Sequence, residues 1–197
     1  MEKRESRCLR NTKETKIDLA LGLDGDGTRY QVDTGIGFFN HMLEGFARHG
    51  FFDLTLEVEG DLEVDTHHTV EEVGIVLGQA IAQAVGDKKG IARYGFQILP
   101  MDESLVLCAL DLCGRPCLGF AMEFDRERVG AFETEMVREF FYAVSYGAMM
   151  NLHIRRMAGD NCHHLIEAAF KAFARALDQA VGYDSRLTGV LSTKGSL

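Results

Sequence analysis

Two short segments of the chain carry the same set of metal-binding side chains. The first is residues 67–71 (HHTVE), and the second, 96 positions later, is residues 163–167 (HHLIE). Both follow the pattern His-His-x-x-Glu at the start of a segment with helical periodicity. Residues four apart share a helix face, so the first histidine and the glutamate of each copy can reach one metal ion. The second histidine is turned by about 100° and should face another ion. The spacing therefore predicts two metal ions, each bound by both copies.

The similarity of the two segments extends beyond the motif. With the same offset, the pattern Ala-x-x-Gln-Ala-Val-Gly occurs at residues 80–86 and 176–182. Such self-similarity indicates an internally duplicated unit. The register also separates two neighbouring acids, because Glu167 aligns with Glu71 whereas Ala168 aligns with Glu72. We therefore predict that Glu71 is the metal ligand of the first copy.

Two further histidines lie where they could complete the metal sites. His41 lies in a segment with helical spacing, and His153 lies in a predicted strand just before the second motif. Three histidines and one glutamate per ion give the predicted ligands His41, His67, His68, Glu71, His153, His163, His164 and Glu167. Ions held in this way keep open coordination positions, as catalysis requires. Imidazole and carboxylate ligands suit manganese, iron or zinc and do not choose between them.

The elements that must position these side chains follow from the periodicity of apolar residues. Helical spacing predicts helices at residues 38–49, 66–85, 133–149 and 163–181. Alternation predicts strands at residues 54–58, 94–99, 104–110, 118–124 and 151–157, and a hairpin of residues 16–21 and 28–32 around an Asp-Gly-Asp-Gly turn. This order predicts an α+β fold, internally duplicated, with two sheets each covered on one face by two helices. The predicted halves, residues 1–92 and 93–197, form one compact unit.

Composition excludes several classes of function. The 197 residues are 46% hydrophobic, enough for a sizeable core, but no apolar run is long enough to span a membrane. The net charge of −9 argues against nucleic acid as a partner. The N-terminal residues lack the apolar core of a secretory signal. The five cysteines form no framework pattern and indicate reduced thiols, which favours a cytoplasmic protein.

Two other metal sites are considered and disfavoured on spacing. The turn that begins at Asp24 resembles a calcium loop, but its twelfth position is Gly35 rather than the bidentate glutamate such a loop needs. Cys113 and Cys117 could form half of a zinc site, but no second cysteine pair supports it. The alternation around both cysteines instead indicates ordinary strand positions.

Several further segments resemble the imidazoleglycerol-phosphate dehydratases of histidine biosynthesis. They are residues 35–43 (GIGFFNHML), 111–116 (DLCGRP), 170–177 (FKAFARAL) and 192–195 (STKG), together with both His-His-x-x-Glu motifs. The resemblance extends over nearly the whole chain and implies a fold of the ribosomal protein S5 domain 2-like type. It implies a lyase that eliminates water from D-erythro-imidazoleglycerol phosphate to give imidazole acetol phosphate. It also implies two manganese ions per active site and a homo-oligomeric shell of 24 subunits with active sites between subunits.

The same resemblance nominates residues that contact the substrate. They are Glu14, His49, Arg93, Arg115, Lys171, Ser192 and Lys194. The arginines suit a phosphate because the guanidinium group can bind it in a bidentate manner. Glu14 is also the candidate acid–base residue, although an exposed strand acid is an equally good interpretation. For Lys88 and Lys89, compensation of a helix dipole is the preferred interpretation.

Several residues depart from the pattern of the family, and two other functions compete with it. Gly37 and Asn40 replace a proline and an aspartate before His41, and Gly45 replaces a glutamine. Leu191 stands before Ser192, where the family usually has a proline. Asn40 therefore puts in doubt a carboxylate that would orient His41. The alternative enzyme is a dinuclear metallohydrolase acting on a phosphoester. A ferritin-type metal store is disfavoured, since such sites use Glu-x-x-His on all-helical bundles.

Overall fold

The computed structural model describes residues 3–196. Along these residues the helices are α1 (Gly37–Gly50), α2 (His67–Val85), α3 (Met136–Gly147) and α4 (Cys162–Val181). The strands are β1 (Glu5–Asn11), β2 (Thr15–Gly22), β3 (Tyr30–Asp33), β4 (Asp53–Gly60), β5 (Tyr94–Met101), β6 (Ser104–Asp111), β7 (Cys117–Ala121), β8 (Arg128–Val129), β9 (Phe132–Glu133) and β10 (Asn151–Ala158). No helix of this described part is long and apolar enough to cross a membrane.

The two halves of the chain repeat one topology. The first sheet has the strand order β1-β2-β4-β3, and the second has the order β5-β6-β10-β7. In each sheet the first three strands in this order are antiparallel, and the last one joins its neighbour in parallel. The predicted internal duplication is therefore confirmed. The boundary predicted at residue 92 stays a prediction.

The four helices pack as a layer between the two sheets. Helices α1 and α2 contact strands of the first sheet, and α3 and α4 contact strands of the second. The halves meet through the helix pairs α2–α3 and α1–α4. Phe39 on α1, Phe140 on α3 and Phe170 on α4 are fully buried at this junction, with the last two rings stacked at 4.9 Å between centroids. The predicted covering of each sheet by two helices is confirmed.

Apolar spacing explains where the helices bury their surface. Phe39, Met42, Leu43 and Phe46 on α1 are all buried, as a stripe of period 3.6 requires. On α2 the predicted stripe from Val70 to Ala84 is likewise buried. Burial of such side chains contributes about 1.5–3 kcal/mol each, and it fixes the helices that carry both motifs.

The predicted hairpin of residues 16–21 and 28–32 is wrong. Strand β2 pairs with β1 and β4, whereas β3 pairs in parallel with β4. Strand β1 is not predicted because only Cys8 among its seven residues is buried, so it lacks apolar alternation. An edge strand needs little apolar surface, and a local pattern cannot say which strand will lie beside it.

Smaller differences concern element ends. Helix α3 begins at Met136 rather than at residue 133, because Phe132–Glu133 pairs with Arg128–Val129 as the ribbon β8–β9. Strand β7 ends at Ala121, three residues earlier than predicted. The other predicted helices and strands agree with the structure to within about three residues at each end, the usual uncertainty of such boundaries.

Candidate metal centre

The second motif is fixed at the first turn of α4 by a helix cap. The side-chain oxygen of Asn161 accepts hydrogen bonds from the backbone N–H groups of His163 (3.0 Å) and His164 (3.3 Å). In the first motif, the Asp65 carboxylate accepts a hydrogen bond from the His67 backbone N–H at 2.8 Å. Asp65 and Asn161 are 96 residues apart, so the duplication includes the residue whose side chain holds the start of each motif.

Three predicted ligands converge where α4 meets α1. Glu167 Oε2 lies 3.1 Å from His163 Nε2 and 3.6 Å from His41 Nε2. Their ligand atoms all lie within 4.8 Å of one another, and within residues 3–196 no other group of three or more His, Cys, Asp or Glu residues comes this close. Two imidazoles and a buried carboxylate at this spacing fit one divalent metal ion with open positions.

The first motif forms only half of such a centre within one chain. His67 Nε2 lies 3.9 Å from Glu71 Oε2 across one helical turn. The neighbouring acid, Glu72, is buried and accepts two hydrogen bonds from Arg10 and one from Thr15. Burial alone would raise the pKa of the Glu72 carboxyl, but these partners hold it below its usual value. Glu72 thus has a complete set of partners, whereas Glu71 faces His67 and solvent.

Adjacent histidines in each motif point in different directions, as helical geometry predicts. The rings of His67 and His68 are 6.1 Å apart at 80°, and those of His163 and His164 are 6.1 Å apart at 78°. The second histidine of each pair, His68 or His164, therefore faces groups from other elements. These two residues are called the outer histidines below.

Both outer histidines lie between two acids. His68 Nδ1 lies 2.9 Å from Asp61, and its Nε2 lies 3.8 Å from Glu14. His164 Nδ1 lies 2.9 Å from Glu103, and its Nε2 lies 3.6 Å from Asp102. Hydrogen bonding to the Asp61 and Glu103 carboxylates raises the pKa of His68 and His164, and the bond from His164 lowers the pKa of Glu103 to about 2. Of these acids, sequence reasoning found only Glu14. Asp61 and Glu103 lie in turns outside the motif, and only tertiary structure brings them to the histidines.

His153 lies apart from the other predicted ligands, on the outer face of the second sheet. Its cross-strand neighbours are Ala109 on β6 and Gly119 on β7. A Cβ atom at position 119 would lie 2.3 Å from His153 Nδ1, so glycine gives the ring its space. The helices cover the opposite face, and His153 is therefore directed away from the body of its own chain.

Positive charge lies next to the ligand cluster. Lys171 Nζ lies 2.6 Å from Glu167 Oε1, one helical turn along α4. Burial alone would raise the pKa of the Glu167 carboxyl, but the Lys171 ammonium holds it below its usual value. Burial, together with Lys171, lowers the pKa of His49, which favours the neutral form of this imidazole.

The other predicted phosphate contacts gather near the C-terminal segment. Arg93 donates two hydrogen bonds to Asp111 (2.7 and 3.0 Å) and one from Nη1 to the Leu191 carbonyl (2.6 Å). It holds a left-handed backbone conformation with φ 70°, which is costly for a non-glycine residue and common at functional sites. The bond to Leu191 fixes the residue before Ser192, whose hydroxyl accepts a hydrogen bond from the Lys194 backbone N–H.

The surroundings differ for three further residues singled out by the sequence, namely Arg115, Asn40 and Gly45. Arg115 is exposed, and its carbonyl rather than its guanidinium is engaged, by Asn151 at 2.7 Å. Asn40 accepts hydrogen bonds from the backbone and hydroxyl of Thr34 (2.9 and 2.5 Å), which hold the loop before α1. Within the described chain, no atom would contact a Cβ placed on Gly45.

Comparisons with known proteins agree over most of the chain. The family model described as imidazoleglycerol-phosphate dehydratase matches residues 34–177. An imidazoleglycerol-phosphate dehydratase from Lachnoclostridium phytofermentans is 60% identical over 194 residues, which are 98% of this chain and 98% of that protein. The crystal structure of the Staphylococcus aureus dehydratase is similar with a TM-score of 0.82 at 39% identity, covering 91% of this chain and 99% of that one. The Pyrococcus furiosus structure is similar with a TM-score of 0.83 at 33% identity, covering 96% of this chain and 100% of that one.

Proposed function

The chain belongs to the imidazoleglycerol-phosphate dehydratase family, and on this premise we propose how its residues serve the reaction. It is a hydro-lyase of histidine biosynthesis that removes water from D-erythro-imidazoleglycerol phosphate and leaves imidazole acetol phosphate. Its substrate is therefore a small phosphorylated imidazole. Neither the family nor its named relatives support the alternative of phosphoester hydrolysis.

The proposed active site holds two manganese ions through the eight predicted ligands. The observation that carries this proposal is the convergence of His41, His163 and Glu167, whose ligand atoms lie within 4.8 Å of one another. The choice of manganese over iron or zinc follows from the family resemblance, since the donor atoms suit all three. When bound, the ions would act as Lewis acids and would hold the imidazole ring in a fixed orientation.

Completion of the metal centres is proposed to require a neighbouring copy of the chain. His67 and Glu71 form only half of a centre, and His153 is directed away from its own chain. The outer face around His153 carries the exposed apolar residues Phe96, Ile98 and Met157, which favours burial against another subunit. A homo-oligomer with active sites between subunits satisfies both observations. The number of 24 subunits comes from the resemblance.

Substrate binding is proposed to use Lys171 and His49 beside the ligand cluster, Arg93, Ser192 and Lys194 around the C-terminal segment, and the exposed Arg115. The bond from Arg93 to Leu191 places that segment close to a fixed guanidinium group. Glu14 is the proposed acid–base residue, since its carboxylate lies 3.8 Å from His68 Nε2 and is half-exposed. A cytoplasmic location is proposed because all five cysteines are free thiols.

The experiment that tests this proposal starts from metal-free protein reloaded with Mn²⁺. Incubation with the substrate should give the ketone product without inorganic phosphate, and the protein should bind two manganese ions per active site. The variant His67→Ala should lose both bound manganese and turnover, because one ligand is removed. Release of inorganic phosphate without ketone would overturn the reaction, whereas unchanged metal content in His67→Ala would remove this residue from the ligand set.

A further inference from the structure

Asp61 and Glu103 make the same contact with equivalent histidines. Asp61 Oδ2 lies 2.9 Å from His68 Nδ1, and Glu103 Oε2 lies 2.9 Å from His164 Nδ1. A neutral imidazole carries one proton, and a carboxylate beside Nδ1 favours the tautomer in which that nitrogen is the donor. In both residues Nε2 is then the unprotonated nitrogen, and a metal ion needs this lone pair.

The two acids reach this geometry by different routes. Asp61 directly follows β4, whereas Glu103 lies in the turn between β5 and β6. The residue 96 positions after Asp61 is Met157, and the residue 96 positions before Glu103 is Arg7. The duplication therefore did not supply both acids at one aligned position. A carboxylate thus reaches the same ring nitrogen from two unrelated positions in the chain. This indicates that each histidine needs the carboxylate for its function.

Packing and stability do not fully account for these carboxylates. The second oxygen of Asp61, Oδ1, is buried without a hydrogen-bond partner in the described chain, which costs free energy of folding. Glu103 uses its other oxygen, Oε1, to accept hydrogen bonds from Ser104 (2.8 Å) and from the Asn161 backbone (3.2 Å). Glu103 Oε1 thus helps to hold the start of α4, whereas Oε2 contacts His164.

We propose that Asp61 and Glu103 are positioning residues of the metal centre, which fix the orientation and tautomer of His68 and His164. This inference rests on the proposed function, because it requires both histidines to bind metal through Nε2. Carboxylates that hold a ligating histidine in this way typically strengthen metal binding by about 10–100-fold. A loss of metal affinity of the same size is expected when either carboxylate–histidine contact is removed.

The test compares Mn²⁺ affinity of full-length wild-type protein with that of substituted proteins. In Asp61→Ala and Glu103→Ala the dissociation constant should rise by about 10–100-fold. In Asp61→Asn and Glu103→Gln the rise should be smaller, because an amide oxygen still accepts a hydrogen bond from Nδ1. Glu63→Ala is the matched control, since it removes an exposed acid two residues from Asp61. This control should bind Mn²⁺ as the wild type does.

A second measurement separates this role from a purely structural one. In metal-free protein with ¹⁵N-labelled histidine, the side-chain shifts should show a protonated Nδ1 for His68 and His164, and this preference should weaken in the alanine variants. Unchanged Mn²⁺ affinity in both alanine variants, with normal binding by the wild type, would overturn the positioning role alone. A wild-type protein that binds no Mn²⁺ would overturn the proposed function as well.

Discussion

Glu71 and Glu72 are adjacent in the chain but have different surroundings. Glu72 is buried against Arg10 and Thr15, whereas the Glu71 carboxylate is half-exposed and faces His67. The repeat register distinguishes the same two residues, because the counterpart of Glu72 in the second half is Ala168. Two independent considerations thus favour Glu71 as the proposed metal ligand and Glu72 as a structural residue.

Substitution of each acid by glutamine should distinguish the proposed metal-binding role of Glu71 from the structural role of Glu72. Glu71→Gln should lower bound manganese and leave the thermal unfolding midpoint of the metal-free protein unchanged. Glu72→Gln should keep bound manganese but lower the free energy of unfolding by about 1–3 kcal/mol, because the Arg10 guanidinium loses a charged partner. Metal analysis and thermal unfolding of both proteins provide the measurements.

Each of the two variants serves as the control for the other. They remove one charge at neighbouring positions of the same helix, so a general effect of lost charge would alter both in the same way. If Glu72→Gln lost the metal and Glu71→Gln kept it, the assignment taken from the repeat register would be wrong.

The ligand types were predictable from the sequence, but their partners were not. The spacing of His163 and Glu167 predicts that they share a helix face, and the structure places their side chains 3.1 Å apart. The position of His41 beside this pair depends on how α1 packs against α4. The spacing of residues along the chain does not reveal that packing. Asp61 and Glu103 were missed for the same reason, since each lies in a turn without a motif of its own.

At the scale of elements, helices α2 and α3 approach closely through glycine. A Cβ atom on Gly78 would lie 2.6 Å from the Val144 carbonyl and 2.8 Å from the Ala148 nitrogen. These are backbone atoms, which cannot move without displacing α3. The close crossing joins the two halves of the molecule, so its integrity should matter for the whole fold.

Gly78→Ala should therefore destabilise the protein by about 1–3 kcal/mol, the usual cost of overpacking a core. Gly45→Ala on α1 is the matched control, because no described atom lies within 4 Å of its added Cβ. That control should stabilise the protein by up to about 1 kcal/mol through helix propensity. Thermal unfolding of both variants measures the difference. Equal midpoints for the two would contradict the close packing of α2 on α3.

A second contact between halves should depend on pH. Arg4 donates hydrogen bonds to Asp24 and, at 2.5 Å, to the Val181 carbonyl at the end of α4. The hydrogen bond from Arg4 lowers the pKa of the Asp24 carboxyl below its ordinary value of 3.8. Because the folded pKa is the lower one, the stabilisation is present above pH 3.8 and is lost as the pH falls through the folded pKa.

The variant Asp24→Asn should accordingly unfold at a lower temperature than the wild type at pH 7. The difference between the two midpoints should persist above pH 3.8 and shrink as the pH falls below that value through the folded pKa, where the wild-type carboxyl also becomes neutral. The wild type is the reference at every pH, so acid effects on the rest of the protein cancel. A difference that stays constant down to the lowest pH would show that the Asp24 charge contributes nothing.

At the scale of the whole molecule, the two sheets expose different outer faces. The first sheet carries ion pairs there, such as Arg7–Asp18 and Lys16–Glu59. The second carries Phe96, Ile98 and Met157 around His153. A face that meets only solvent rarely carries a contiguous group of exposed apolar side chains. The apolar face therefore marks the side on which another subunit is expected.

Phe96→Glu should break this contact, because the introduced charge would be buried against the apolar surface of another subunit. Phe96 is 65% exposed in the single chain and lies in the same cross-strand row as His153. We expect a lower molar mass by size exclusion with light scattering, and also less bound manganese per chain, since His153 would no longer reach a neighbour. Circular dichroism should show that the single chain remains folded.

Leu9→Glu is the matched control for this prediction. Leu9 is 73% exposed on the outer face of the first sheet, so the same charge replaces an equally exposed apolar residue of a strand. This variant should keep the assembly and the metal content of the wild type. If Phe96→Glu retained the full assembly and all its manganese, the apolar face would not be the interface that brings His153 to a neighbouring subunit. Loss of assembly with full metal content would instead place His153 outside the ligand set, because the remaining ligands would then suffice within one chain.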